Sequence, residues 1–115
     1  MTEPIGRTEL ERLRDEAQSQ AATLEADLRG LIEASRSSNA DDEHDPEGAT
    51  IAFERAQLIA VRDATQRRLT DLNAALRRFD TGDYGRCDVC GQPIPADRLA
   101  ARPAARTCVA CASRG

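Results

Sequence analysis

Residues 87–111 read CDVCGQPIPADRLAARPAARTCVAC and contain all four cysteines of the chain. The cysteines form two Cys-x-x-Cys pairs, Cys87 with Cys90 and Cys108 with Cys111. One such pair can present two thiolates to a single ion, and two pairs complete the tetrahedral shell that zinc prefers. The spacing within and between the pairs lies in the range that indicates a zinc site.

The rest of the chain has few of the large side chains from which a wide core is built. Its 115 residues include two Phe, one Tyr and no Trp, and 31% of them are charged. Ala, Arg, Glu and Leu dominate up to about residue 80, a composition that suits long helices. No apolar run has signal-peptide length or approaches the roughly 18 residues of a membrane span. We therefore expect an elongated helical protein in the cytoplasm, with no membrane partner.

A cytoplasmic location bears on the alternatives for the cysteines, which are a disulfide pair, a redox Cys-x-x-Cys motif and an iron–sulfur cluster. Structural disulfides are rare in that reducing compartment. A redox motif needs one pair and a thioredoxin-like strand–helix context, which the sequence lacks. Zinc is the favoured interpretation, with one ion bound per chain. With four protein ligands the shell has no open position for a substrate, so the zinc is expected to be structural and the protein not to be an enzyme.

Two amphipathic segments precede the cysteines. In the first, Thr8 and Glu11 have the spacing of a capping box, which predicts a helix that begins at Thr8. The apolar residues that follow recur at intervals of three and four and form one narrow stripe, which suits a single partner helix as in a coiled coil. These residues are Leu10, Leu13, Ala17, Ala21, Leu24, Leu28 and Leu31 or Ile32.

The second segment follows a stretch of turn-forming residues at 37–48. Asp45 and Pro46 are typical of a helix start, because the carboxylate can cap free N–H groups and Pro is tolerated at the first helical position. Thr81 and Gly82 supply a C-terminal stop. The apolar stripe between them comprises Ile51, Leu58, Val61, Thr65, Leu69, Leu72, Leu76 and Phe79.

Together these patterns predict a mainly α fold, an antiparallel coiled-coil helical hairpin followed by a small zinc finger with four cysteine ligands. The predicted organisation is a disordered lead at 1–7, the hairpin at 8–80 and the zinc-finger domain at 81–115. The finger is too small to fold on its own apolar burial, so metal binding is expected to supply that free energy.

Charge is concentrated at the tip of the predicted hairpin, although the net charge of the whole chain is only −4. The tip holds five acids within seven residues, more than helix capping requires, which makes it a candidate partner-binding site. Three arginines of the finger recur every four residues and indicate either a solvated face or a docking contact with an acidic partner. Without interleaved aromatic residues, base stacking and sequence-specific DNA binding are not expected. The residues are Asp41, Asp42, Glu43, Asp45 and Glu47 at the tip and Arg98, Arg102 and Arg106 in the finger.

Residues 82–111, GDYGRCDVCGQPIPADRLAARPAARTCVAC, resemble the zinc finger of the DksA/TraR family. The shared motifs are Tyr/Phe-Gly-x-Cys-x-x-Cys-Gly, then Arg-Leu-x-Ala-Arg-Pro, then a final Cys-x-x-Cys. The resemblance implies a transcription regulator that binds RNA polymerase and inserts its coiled coil into the secondary channel. It further implies that the tip acids act near the active-site magnesium.

The tip departs from the family signature Asp-x-x-Asp-x-Ala. Asp42 and Asp45 match the two acids, but Glu47 stands where Ala belongs, and the register counted back from Cys87 without gaps pairs His44 and Glu47 instead. The altered tip therefore bears mainly on the family's effect on initiation and its synergy with ppGpp. The resemblance in the finger still implies polymerase binding. Two other functions fit the sequence: a zinc-stabilised coiled-coil interaction module without polymerase contact, and a factor whose tip acids hold a second magnesium for transcript cleavage.

Overall fold

The structure, a computed structural model, describes residues 5–38 and 46–114. These residues form four helices, and they contain no strand beyond an isolated bridge between Arg86 and Pro93. None of the described helices is long and apolar enough to cross a membrane. The two long helices make a hairpin and are followed by the cysteine region, which confirms the predicted fold class. The helices are α1 (Arg7–Ser38), α2 (Pro46–Thr81), α3 (Ala96–Ala101) and α4 (Val109–Arg114).

The start of α1 differs from the predicted capping box. The helix begins at Arg7, and the Leu10 N–H donates to the Gly6 carbonyl at 3.2 Å. Thr8 therefore lies inside the helix, and the Glu11 carboxylate accepts from the Arg7 guanidinium at 2.8 Å. The Glu11 side chain, which the capping box required, is thus engaged in an ion pair with Arg7 one helical turn away. Residues 1–4 of the predicted lead lie outside the described residues.

The limits of α2 agree with the local signals in its sequence. The helix starts at Pro46, the predicted first helical position, whereas the capping role of Asp45 lies outside the described residues. At the other end Gly82 has a φ of 85°, a left-handed conformation that glycine adopts without a Cβ penalty. The N–H of Gly82 donates to the Phe79 carbonyl at 3.2 Å and that of Asp83 to the Arg78 carbonyl at 2.8 Å. This is a Schellman C-cap, and it confirms the predicted stop.

The chain divides into two compact units, and each contains parts of both long helices. One unit is built on residues up to Glu16 together with Leu69 onward. Its hairpin portion buries Leu10, Leu72, Ala75 and Leu76 between α1 and α2. Its surface carries a bidentate ion pair in which Arg7 Nε and Nη2 lie 2.9 and 3.0 Å from the two carboxylate oxygens of Asp80. The predicted domain boundary at residue 81 stays a prediction.

The second unit comprises residues Ala17–Arg68. Its buried residues are small or few: Ala17, Ala21, Leu28 and Thr65. The Thr65 hydroxyl donates to the Val61 carbonyl at 2.9 Å, so this buried polar group has a hydrogen-bond partner. All of these lie on the predicted stripes. Val61 was wrongly placed in the stripe of α2, because it stands at the edge of the line through Leu58 and Thr65 and its side chain is 47% exposed.

Candidate metal centre

The fold brings the four cysteines of the finger together. Their sulfur atoms all lie within 4.8 Å of one another, and the Sγ atoms of Cys90 and Cys108 are 3.9 Å apart. All four are free thiols. The 3.9 Å between the Sγ atoms of Cys90 and Cys108 far exceeds the S–S distance of about 2.05 Å in a disulfide. Cys87 and Cys111 are buried, whereas Cys90 is exposed. The cluster therefore sits at the edge of the finger with one side facing solvent.

A tight turn presents the first pair. The Gly91 N–H donates to the Cys87 carbonyl at 3.0 Å, and the Cys87 N–H donates to the Gln92 carbonyl at 2.8 Å. Gly91 has a φ of 74°, which residues with a Cβ rarely adopt. The turn folds the chain back so that both sulfurs of the pair point to the same side.

The second pair is presented by a helix start. Cys108 precedes α4 and Cys111 lies in its first turn, and the Ala112 N–H donates to the Cys108 carbonyl at 2.9 Å. Residues three apart in a helical turn lie on one face, so these two sulfurs also project together. The two pairs thus face each other although one stands in a glycine turn and the other at a helix.

A small apolar core supports the cysteine cluster. Cys87 and Cys111 pack with Ile94 and Leu99, and Tyr84 covers this core from the side of α2. The Tyr84 hydroxyl donates to the Pro103 carbonyl at 2.8 Å, and its ring lies 5.6 Å from that of Phe79. The Arg-Leu-x-Ala-Arg-Pro motif therefore supplies a core residue and a hydrogen-bond acceptor.

Three of the cysteine thiols differ in pKa. Hydrogen bonds from the backbone N–H groups of Cys90 and Cys108 lower the pKa of Cys87 to about 6. The pKa of Cys108 is also lowered, chiefly by the Cys111 backbone. The pKa of Cys111 is raised to about 12, first by its hydrogen bond with the Cys108 side chain and then by burial. Such a cluster favours some thiolates by itself, but ionising all four together requires a cation among them.

The geometry fits zinc. Zinc–thiolate bonds of about 2.3 Å in a tetrahedron place neighbouring sulfurs about 3.8 Å apart. The observed 3.9 Å between Cys90 and Cys108 matches that edge, and the remaining sulfur pairs lie within 4.8 Å. Four thiols with no oxygen or nitrogen ligand form a soft donor set typical of structural zinc.

The three finger arginines do not share a helix face, contrary to the simplest interpretation of their spacing. Arg98 lies in α3, whereas Arg102 is the C-cap with a φ of −132°, because Pro103 disfavours helical geometry in the residue before it. Arg98 Nε donates to the Thr107 carbonyl at 2.8 Å, and Arg106 Nε donates to Asp88 at 2.8 Å. Two of the three predicted docking residues thus make contacts within the finger.

Arg78, which was not predicted from the sequence, joins α2 to the finger. Its side chain is only 14% exposed and its Nη2 lies 3.0 Å from Oδ1 of Asp88. Nothing in the charge pattern distinguishes it from Arg77, so the sequence carried no signal for it. The predicted tip residues Asp41, Asp42, Glu43 and Asp45, like the side chain of Glu47, lie outside what the structure describes.

The finger matches a known family. Residues 82–114 correspond to the prokaryotic dksA/traR C4-type zinc finger. The RNA polymerase-binding transcription factor DksA of Haemophilus influenzae is 42% identical over 50 residues, which are 44% of this chain and 34% of that protein. The finger of this chain is similar to those of the DksA/TraR family. This agrees with the resemblance seen in its finger motifs.

Other relatives match over longer stretches of the chain. The RNA polymerase-binding transcription factor DksA of Caulobacter vibrioides is 38% identical over 66 residues, 57% of this chain and 46% of that protein. General stress protein 16O of Bacillus subtilis is 36% identical over 72 residues, 63% of this chain and 44% of that protein. These matches span less than half the length of each curated relative.

A solved structure matches nearly the whole chain. Transcription factor DksA2 from Pseudomonas aeruginosa aligns with a TM-score of 0.58 and 26% sequence identity. The alignment covers 93% of this chain and 82% of that protein, and so includes both the hairpin and the finger.

Proposed function

We propose that this protein is a non-enzymatic transcription regulator that binds RNA polymerase. The observation that carries the proposal is the alignment with transcription factor DksA2 over 93% of the chain, since it joins the hairpin and the C4 finger in one arrangement. Identity of 42% over 50 residues to a DksA named as RNA polymerase-binding supports the same partner.

One structural zinc per chain is part of the proposal. Cys87, Cys90, Cys108 and Cys111 would hold it, as the sulfur spacing and the soft donor set support. Bound there, zinc would neutralise charge among four thiolates and fix two separate turns to each other. Because protein sulfurs fill the tetrahedron, the ion would have no position for a substrate or an activated water.

The hairpin would enter the secondary channel of the polymerase with its acidic end first. A pair of helices is narrow, about 20 Å across at roughly 10 Å per helix, so it reaches where a globular domain is excluded. The tip acids would act near the active-site magnesium, because carboxylates are its preferred protein ligands. In this proposal Asp41, Asp42, Glu43, Asp45 and Glu47 form the tip, and the finger and the hairpin base dock outside.

Among the proposed docking arginines, Arg102 is the best placed to contact a partner. Its side chain is exposed, whereas Arg98 and Arg106 donate to groups of the finger itself. A cation at this position suits an acidic protein surface or a phosphate.

A zinc-stabilised coiled-coil interaction module is the second candidate. It is favoured by Phe53 and Val61 of α2, whose side chains are 65% and 47% exposed. Large apolar side chains on the outside of a helix are typical of helix–helix contacts with a partner.

A pull-down with the full chain separates the two candidates. We expect purified RNA polymerase to be retained by the parent protein and also by a variant in which residues 39–45 are replaced by a Gly/Ser linker of equal length. The variant should lose any effect on transcription in vitro. Absence of polymerase from the parent pull-down would reject the proposal in favour of the interaction module.

A further inference from the structure

Arg78, in the last turns of α2, contacts the finger on both sides of its first cysteine. Its Nη2 donates to the Arg86 carbonyl at 2.7 Å and to the Asp83 carbonyl at 3.3 Å. The same nitrogen lies 3.0 Å from Oδ1 of Asp88. Arg86 and Asp88 are the chain neighbours of Cys87, so one hairpin side chain holds the backbone before this cysteine and the side chain after it.

Asp88 extends these contacts to the second half of the finger. Its Oδ2 accepts from Arg106 Nε at 2.8 Å, and its backbone N–H donates to the Arg106 carbonyl at 2.8 Å. Arg106 lies shortly before Cys108. A continuous series of polar contacts therefore runs from α2 through the first cysteine turn to the segment that leads into the second pair.

The setting of these contacts makes them stronger than an ordinary surface ion pair. The Arg78 side chain is 14% exposed, whereas the other guanidinium on Asp88, that of Arg106, is 64% exposed. A shielded guanidinium that bonds carbonyl and carboxylate oxygens together is held in one geometry, and solvent screens it little. Its removal would leave Asp88 without its shielded partner.

We propose that Arg78 is a positioning residue for the C4 metal site, so that metal retention by the finger depends on a side chain of the hairpin. The inference rests on the proposed zinc ligation. Groups that hold metal ligands in place commonly change metal affinity about 10- to 100-fold when they are removed. Since the finger gains its folding free energy from the metal, a loosened cysteine turn appears directly as weaker metal binding.

The test measures metal affinity of full-length variants, with cobalt(II) absorption as the signal and zinc in competition with a chelator. Arg78→Met removes the guanidinium and keeps the apolar stem, and Arg77→Met is the matched control on the exposed neighbour. We expect Arg78→Met to weaken zinc binding about 10-fold or more and Arg77→Met to leave it within about twofold. Asp88→Asn leaves α2 unaltered and removes the charge that pairs with both Arg78 and Arg106, so its effect combined with that of Arg78→Met should be less than the sum of their separate effects.

Circular dichroism of each variant separates positioning from a general loss of structure. A merely structural Arg78 would lower the unfolding midpoint of the hairpin and leave zinc affinity unchanged, and that result would overturn the proposal. So would additive effects of Arg78→Met and Asp88→Asn. If the parent takes up neither cobalt nor zinc, the proposed zinc site itself is wrong; if the parent binds and Arg78→Met binds equally tightly, only the role of Arg78 is wrong.

Discussion

At the scale of single residues, the finger depends on a glycine whose backbone no other residue adopts readily. Gly91 has a φ of 74°, and a Cβ added there would meet no atom within 4 Å. The obstacle to substitution is thus the backbone conformation and not the space around it. Gly30 offers the contrast, because it lies inside α1, is exposed and also has open space around it.

We predict that Gly91→Ala destabilises the metal-loaded finger by about 1–2 kcal/mol, the cost of a left-handed conformation for a residue with a Cβ. Gly30→Ala should instead stabilise α1 by about 0.5–1 kcal/mol, since Ala is the better helix former. Tyr84, the single tyrosine, packs on the finger core, so its fluorescence reports finger unfolding. Circular dichroism reports the helices. Equal stability of Gly91→Ala and parent by Tyr84 fluorescence would contradict the first prediction.

At the scale of elements, the two long helices hold together through a narrow line of buried residues. In the unit that includes the hairpin base, Leu72 is 1% exposed and Leu10 is fully buried. A line this narrow has little redundancy, because few residues in the described parts of the two helices are buried. Single truncations should therefore cost a large fraction of the 5–15 kcal/mol typical of a whole domain, about 2–5 kcal/mol each.

Leu72→Ala is predicted to lower the free energy of unfolding of the hairpin by about 2–5 kcal/mol. Phe53→Ala is the control, because that larger side chain is 65% exposed and should cost less than about 0.5 kcal/mol. Urea titrations followed by circular dichroism measure both. A similar loss in the two variants would show that exposure of Phe53 is not maintained in solution.

The finger and the hairpin differ in what stabilises them. The finger core contains two cysteines among its four buried residues, whereas the hairpin residues pack without any sulfur of the cluster. We expect Cys108→Ser, or treatment with a strong chelator, to unfold the finger and leave most helical signal intact. Tyr84 fluorescence should change while ellipticity falls only by the share of α3 and α4. Full loss of helicity would show that the metal also holds the hairpin.

At the scale of the whole molecule, the proposed regulator separates docking from action. The sharpest test is the double substitution Asp42→Asn with Asp45→Asn, because Asn caps helices about as well as Asp and only charge is removed. The variant should bind polymerase with affinity changed less than about tenfold, or 1.4 kcal/mol, and should no longer alter transcription from a sensitive promoter. Normal regulation by the variant would show that the tip acids only form a solvated turn and do not act in regulation. Loss of binding with normal helicity would make them docking residues.

Features that depend on near neighbours along the chain could be predicted from the amino-acid sequence alone. The start of α2 at Pro46 and the stop at Gly82 follow from backbone rules that act over a few residues. The buried lines of the hairpin follow from helical periodicity, and the joining of the two cysteine pairs follows from the fixed demands of a tetrahedral ion. These requirements involve near neighbours or the coordination chemistry of one ion, so a short motif is enough to predict them.

The pairing of polar side chains, in contrast, depends on the tertiary structure. Arg7 begins α1 beside Asp80, 73 residues further along the chain, and this pair together with Glu11 displaced the predicted capping box. Arg78 bonds the finger while Arg77 next to it stays exposed, and the finger arginines were divided by the end of α3 at Ala101. Charged side chains are long and their pairing is set by distance in space, so sequence spacing alone does not encode it.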